Sequence, residues 1–306
     1  MTTLRQLRYL VALSEELHFR RAAERMYVTQ PTLSAQIQEL EKKLDAPLVE
    51  RGSSRVMLTP LGREIAERAR RVLSDVQDIV DLAASSHHGF DGTIRLGVPP
   101  TLGPYLLPHM IPDLHAKYPS LRLYVSEGKP SELQSQLQSG GFDLVISPLP
   151  IVQADLEMDR LFREPLRVVA APDHPLASKD TVLRSDLSGQ NVLALERGHH
   201  LHDQVSRLCE DFGATLLRDY EGTSLDTLRL MAGMGVGLAF LPALYVRSEI
   251  SGRSEIAVLN LNAPNLFRQI GLTWRKRSVH APMFKEIAEL VRLTADEKLP
   301  EITVIR

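Results

Sequence analysis

Cysteine is nearly absent: the 306 residues hold one, Cys209. A single thiol cannot close an internal disulfide, and without a CxxC pair there is neither a zinc-binding spacing nor a thiol-exchange motif. Long apolar runs are missing too. No stretch approaches the roughly 18 apolar residues of a spanning helix, and the opening MTTLRQLRYL lacks the continuous apolar core of an export signal. These absences fit a soluble protein in a reducing cytoplasm, long enough for about two domains. Catalytic strings are also lacking. There is no G-x-S-x-G and no P-loop, and Gly233, Gly235 and Gly237 do not satisfy GxGxxG. Nothing supports enzymatic activity or calls for a cofactor.

Net charge is small, −2 overall, but it is unevenly divided. Residues 1–71 carry 13 Lys and Arg against 9 Asp and Glu, whereas residues 72–306 carry 23 against 29. A mildly basic head on an acidic body is one signature of polyanion binding, although many neutral enzymes are as lopsided.

The head reads as helices followed by a hairpin. Leu4, Leu7, Leu10, Val11 and Leu17 recur at helical spacing, and a short second helix spans roughly Phe19 to Met26, where Ala22 and Ala23 permit close packing. Tyr27, Val28 and Thr29 form a turn. Thr29 suits an N-cap, and Pro31 in the following first turn loses no intrahelical bond. The third helix turns Leu33, Ile37, Leu40 and Leu44 to one face and lets Gln30, Thr32, Ser34 and Gln38 face outward. This is a helix-turn-helix layout. A major groove about 12 Å wide admits one helix, whose amides and hydroxyls can read base edges. Gly52, Ser53 and Ser54 then separate two short runs, a small β wing with Arg51 and Arg55 near its tip, suited to phosphate or the minor groove. The alternative is a small helical domain with a solvated polar face.

Thr59 and Pro60 resemble an N-cap and first-turn proline. From there Ile65, Ala69, Val72, Val76, Ile79 and Ala83 alternate spacings of four and three, a coiled-coil seam that implies dimerisation. A helix packed on its own domain is the alternative. From Thr93 short apolar runs alternate with helical ones: TIRLGV, Leu102 to Lys117, LRLYVSE, Ser131 to Gln138, FDLVIS. That βαβαβ order predicts a parallel sheet. LRVVAAP, NVLALE, a helix from Leu201 to Phe212, Leu225 to Met234 and VGLAFLP make a second set, and RQIGLTW with a helix from Pro282 closes the chain. Two α/β halves suggest two lobes with a ligand cleft between them. The predicted divisions are a head at 1–58, a linker helix at 59–89 and a body at 90–306, with lobe I at about 90–163 plus 268–306 and lobe II at about 164–267.

Two residue sets invite chemistry. His199, His200 and His202 beside Asp203 could hold a metal, but adjacent histidines rarely converge on one ion, so no metal is expected. The favoured reading places His199 and His200 in the cleft at the start of a helix, where backbone N–H groups attract an anion. Cys209 has no assigned base and reads as a small buried apolar residue rather than a nucleophile.

The run LRQLRYLVALSEELHFRRAAERMYVTQPTLSAQIQELEKKL, continuing to LTPLGREI, resembles the LysR-type transcriptional regulator family, and the likeness extends over essentially the whole chain. One departure is Val49, where the family usually has Phe. The resemblance implies an α/β protein with an all-α-type head: a winged helix-turn-helix, a dimerising linker helix and a two-lobed effector domain of periplasmic-binding-protein type. It also implies a homodimer assembling to a homotetramer, double-stranded promoter DNA and a small-molecule effector as partners, RNA polymerase where the output is activation, and no membrane. On this reading Gln30, Pro31, Thr32, Ser34, Gln38, Arg51 and Arg55 meet DNA, while Thr101, Ser131, His199, His200 and Arg268 surround the effector. PTLGPYLLPHMIP, LERGHHLHDQV and GTSLDTLR are similar to the OxyR-like, peroxide-sensing branch. There a reactive cysteine follows the glycine and histidine; here His200 occupies that place. Cys209 matches the second cysteine of that branch and has no intramolecular partner, so the expectation is an anionic metabolite, with a redox response through Cys209 or a small-molecule binding protein that does not bind DNA as alternatives.

Overall fold

The first helix, α1 (Leu4–Glu16), is started by a reciprocal pair of bonds: Thr3 Oγ1 accepts from the Gln6 amide at 3.3 Å, and Gln6 Oε1 accepts from the Thr3 amide at 3.1 Å. The short α2 (Phe19–Arg25) follows, and α3 (Gln30–Leu44) is capped by Thr29, with Pro31 in its first turn. The wing pairs β1 (Val49–Arg51) with β2 (Val56–Leu58), Val49 opposite Leu58. Val49 is buried in the head core beside Leu48 and Leu58. The long helix α4 (Pro60–Ser85) begins where Thr59 Oγ1 accepts from the Gly62 amide at 2.9 Å. The computed structural model describes residues 2–51, 56–85, 92–151, 153–252 and 254–305.

The chain divides into two compact units, residues 1–88 with 136–142, and residues 89–135 with 143–306. In the first, α4 is not a free linker. Ala66 lies in the head core with Leu10, Leu13, Leu33 and Ile37, and Ile65 packs against it. Gly62 lies so close to the wing that a Cβ there would sit 2.0 Å from the Leu48 carbonyl oxygen. Arg70 Nη2 donates to Ser14 Oγ at 2.8 Å. The first part of the expected seam is therefore corrected: Ile65 is half-buried and Ala69 only 2% exposed within the chain. Val72 and Ile79 remain exposed, Val76 is half-buried, and the side chain of Ala83 lies outside the described residues.

The second unit runs β3 (Thr93–Val98), α5 (Gly103–Lys117), β4 (Arg122–Glu127), α6 (Pro130–Ser139), β5 (Leu144–Pro148), β6 (Leu156–Ala170), β7 (Val182–Leu183), β8 (Asn191–Leu195), α7 (His200–Phe212), β9 (Thr215–Gly222), α8 (Leu225–Gly233), β10 (Leu238–Pro242), α9 (Ala243–Glu249), β11 (Ala257–Leu259), β12 (Leu261–Asn262), β13 (Phe267–Arg275), α10 (Ala281–Lys298) and β14 (Thr303–Val304). Strands order β4-β3-β5-β13-β6-β10-β8-β9. The expected parallel sheet is half right. β3 pairs in parallel with β4 and β5, and β8 with β9 and β10, but β6 and β13 run antiparallel to each other and to their neighbours. These two strands pass from one lobe to the other, so their direction follows the crossing and not the local β-α-β rhythm. Each lobe has its own core, one around Leu96, Leu106, Ile270 and Trp274, the other around Val169, Leu193, Phe240 and Leu241.

Candidate functional site

At α3 the buried stripe and the polar face separate cleanly. Leu33, Ile37 and Leu40 are fully buried, Gln30, Pro31, Thr32 and Gln38 are exposed, and Ser34 is half-buried. Thr29 Oγ1 lies 2.8 Å from Thr32 Oγ1 and accepts from the Thr32 amide, which fixes the helix start. The turn before it carries a feature the sequence reading passed over: Tyr27 adopts φ 54 and is 96% exposed. Arg51 closes β1, and Arg55 lies outside the described residues.

In the second unit, the loop after β3 carries Thr101, the start of α6 carries Ser131, the loop from β8 into α7 carries His199, and His200 opens α7. β13 supplies Arg268. Thr101, His199 and Arg268 are buried, His200 is half-buried and Ser131 is exposed. Arg268 stands opposite Glu164 in the β13–β6 register, and its Nε and Nη2 both lie 2.8 Å from Glu164 Oε2. Its Nη1 donates to Thr101 Oγ1 at 2.9 Å and its Nη2 to the Thr101 carbonyl at 2.7 Å. Glu164 Oε1 in turn accepts from the Leu244 amide at 3.0 Å. Arg268, expected among the residues around the effector, is therefore not a free cation. Its charge is neutralised by a fully buried carboxylate, and its donors tie Thr101 to the two crossing strands.

His199 caps α7 with its backbone alone. Burial pulls the His199 imidazole below its ordinary value of 6.5, with the Lys129 ammonium adding to the effect. Burial does the same to His200, helped by Arg207 and Arg268. Both shifts favour the neutral imidazole, which can accept as well as donate. His202 Nδ1 lies 3.1 Å from Asp203 Oδ1. Among the described residues no three His, Cys, Asp or Glu side chains gather as a metal site.

Sequence reasoning missed Lys129 and Glu196. Lys129 precedes α6 and its Nζ lies 2.7 Å from Glu196 Oε1, which is 3.7 Å from His199 Nε2. The local signal was slight: Glu196 and Arg197 simply precede Gly198, whose φ of 94 turns the chain into α7.

Cys209 is 3% exposed in the core of lobe II, beside Val205 and Phe212. Burial, with Glu210 adding, pushes its thiol up to about 11, leaving about one part in ten thousand as thiolate at pH 7. The folded chain should react with an aromatic disulfide reagent at pH 7 at least about a hundredfold more slowly than the urea-unfolded chain. Equal rates would show the thiol to be accessible and reactive.

Two family models match in succession: the bacterial regulatory helix-turn-helix protein, lysR family, over residues 4–63, and the LysR substrate binding domain over residues 87–295. The DNA-binding transcriptional dual regulator OxyR of Escherichia coli K12 is 40% identical over 294 residues, 96% of each chain. The HTH-type transcriptional regulator EstR of Acinetobacter baylyi is 33% identical, over 96% of this chain and 98% of its own. Among solved structures, a cysteine-to-aspartate variant of full-length OxyR from Pseudomonas aeruginosa superposes with a TM-score of 0.78 at 36% identity, covering 96% of this chain and 95% of that one. A head that presents a polar helix face, a two-lobed body, and likeness along almost the whole length establish one lineage: the chain belongs to the LysR family of DNA-binding, effector-controlled transcriptional regulators.

Proposed function

We propose that this regulator reads DNA through Gln30, Pro31, Thr32, Ser34 and Gln38, with Arg51 and Arg55 of the wing on the backbone or minor groove, and that a small anionic metabolite bound between the lobes controls it. The exposed polar start of α3, rigidly capped over a fully buried opposite face, is the observation that carries the DNA reading. The phenol of Tyr27 stands ready for a neighbouring phosphate. The cleft reading rests on Thr101, Ser131, His199 and His200 around the amides at Gly198 and the start of α7, donors suited to a carboxylate. Dimers formed through α4 pair as a homotetramer and place recognition helices on an inverted repeat in promoter DNA, in the cytoplasm, with RNA polymerase as the further partner of an activating complex. Closure of the lobes on the metabolite shifts the spacing of the heads.

Footprinting and binding isotherms at several salt concentrations test the head. Gln30→Ala should lose ~1–3 kcal/mol of discrimination at one base, whereas Arg55→Ala should weaken all sequences alike and lower the salt slope by about one. Unchanged specificity in Gln30→Ala would remove its assigned role. A thermal-shift screen of carboxylate metabolites tests the cleft, because a ligand that binds only the folded chain must raise its apparent stability.

A further inference from the structure

Two of the cations near the candidate site differ in how they are held. Arg268 is 2% exposed, and its Nε, Nη1 and Nη2 all bond to Glu164 or Thr101. Releasing it would strand Glu164, a fully buried carboxylate. Lys129 is held differently. Its side chain is about one third exposed, and its ammonium meets Glu196 Oε1 at 2.7 Å, with Glu196 exposed to a similar degree. Such solvated ion pairs contribute little and exchange readily.

The position of this pair matters as much as its strength. Lys129 lies between β4 and α6 in lobe I, and Glu196 between β8 and α7 in lobe II, so the contact joins the two lobes. The lysine stem crosses Gly198, its Cδ 3.6 Å from where a Cβ would stand. Glu196 Oε1 sits between the Lys129 ammonium and Nε2 of the buried His199, at 2.7 and 3.7 Å. Glu132, on the first turn of α6, adds a second negative charge near Lys129 and disfavours any weaker anion there.

We propose that Lys129, not Arg268, is the cation that receives the carboxylate of an anionic effector, and that Glu196 is a built-in competitor holding that ammonium, and thereby the two lobes, until the effector displaces it. The inference rests on the reading of an anionic effector in the cleft. It assigns a specificity-determining residue and a resting contact that ligand exchange removes. Glu196 occupies the place a ligand carboxylate takes, so the site is complete before the ligand arrives, and only an anion that also gains from Thr101, Ser131 or the α7 amides outcompetes a tethered one.

Acetate is the direct probe. It is titrated into the full chain at constant ionic strength with acetamide as the neutral control, and thermal midpoint is the readout. Glu196→Gln should reach half of its acetate response at about tenfold lower concentration than the wild type, Lys129→Met in the same background should abolish that gain, and acetamide should distinguish none of them. Equal acetate responses in wild type and Glu196→Gln, or a gain that survives Lys129→Met, would overturn the proposal. The metabolite screen keeps the two readings apart. Carboxylates that stabilise wild type and Lys129→Met equally would leave the anionic effector standing and remove Lys129 from it. An acetate gain through Lys129 with no responding metabolite would retain the Lys129–Glu196 exchange and overturn the effector reading.

Discussion

Arg268→Ala should destabilise the effector unit by ~3–5 kcal/mol, because it leaves Glu164 charged and without its cation in a site that is 0% exposed. The loss should appear as a lower urea midpoint with little change in slope, since the surface exposed on unfolding is nearly the same. Arg268 and Glu164 face each other where β13 and β6 pass between the lobes, and Thr101 and Leu244 join the same network. Both lobes should therefore lose protection from hydrogen exchange together. Replacing the pair, Arg268→Met with Glu164→Leu, should restore much of the stability, as a buried pair exchanged for apolar groups of similar volume is often neutral. A single-variant loss below ~1 kcal/mol would mean that the carboxylate finds another partner or water.

Ile79→Asp and Val72→Asp should dissociate the dimer, with association weakened by a factor on the order of a hundred to a thousand through a buried, unpaired carboxylate on each chain. Ile79 is 66% exposed and Val72 41% exposed in the single chain, with Val80 at 56% beside them, so these side chains have apolar surface to offer a partner. Sedimentation velocity reads the association. Affinity for an inverted repeat should fall about 10²–10⁴-fold, as the second head no longer binds at high effective concentration. Ala69→Asp separates the two halves of the seam: at 2% exposure Ala69 is already covered within its own chain, so this change should lower the stability of the head first. Fully dimeric Ile79→Asp and Val72→Asp proteins would remove α4 from the interface.

The elements legible in the sequence are those whose instructions are local. Thr29, Pro31 and the spacing of Leu33, Ile37 and Leu40 specify the start and buried stripe of α3 within a few turns and appear as read, whereas Leu44, read onto the same face, is exposed at the helix end. Thr59 and Pro60 start α4 for the same reason, and the two runs read as the wing pair as β1 and β2, the turn residues Gly52, Ser53 and Ser54 lying outside the described residues. The reading of Cys209 as a core residue followed from its helix face and matches its burial. The resemblance added the family and the residues around the cleft, but not what each of those residues does there.

What the sequence alone determined, then, is the helix-turn-helix, the wing, the long helix and the alternation of strands and helices in two lobes, because capping, turn chemistry and periodicity act over a few residues. Only the tertiary structure decided the antiparallel direction of β6 and β13, the neutralisation of Arg268 by a glutamate 104 residues away, the covering of Ala69, and the meeting of Lys129 with Glu196. Each depends on which distant segments the crossing strands and packed helices bring together. A charge is free or held according to the neighbour that arrives from elsewhere in the chain, and no local pattern of residues carries that information.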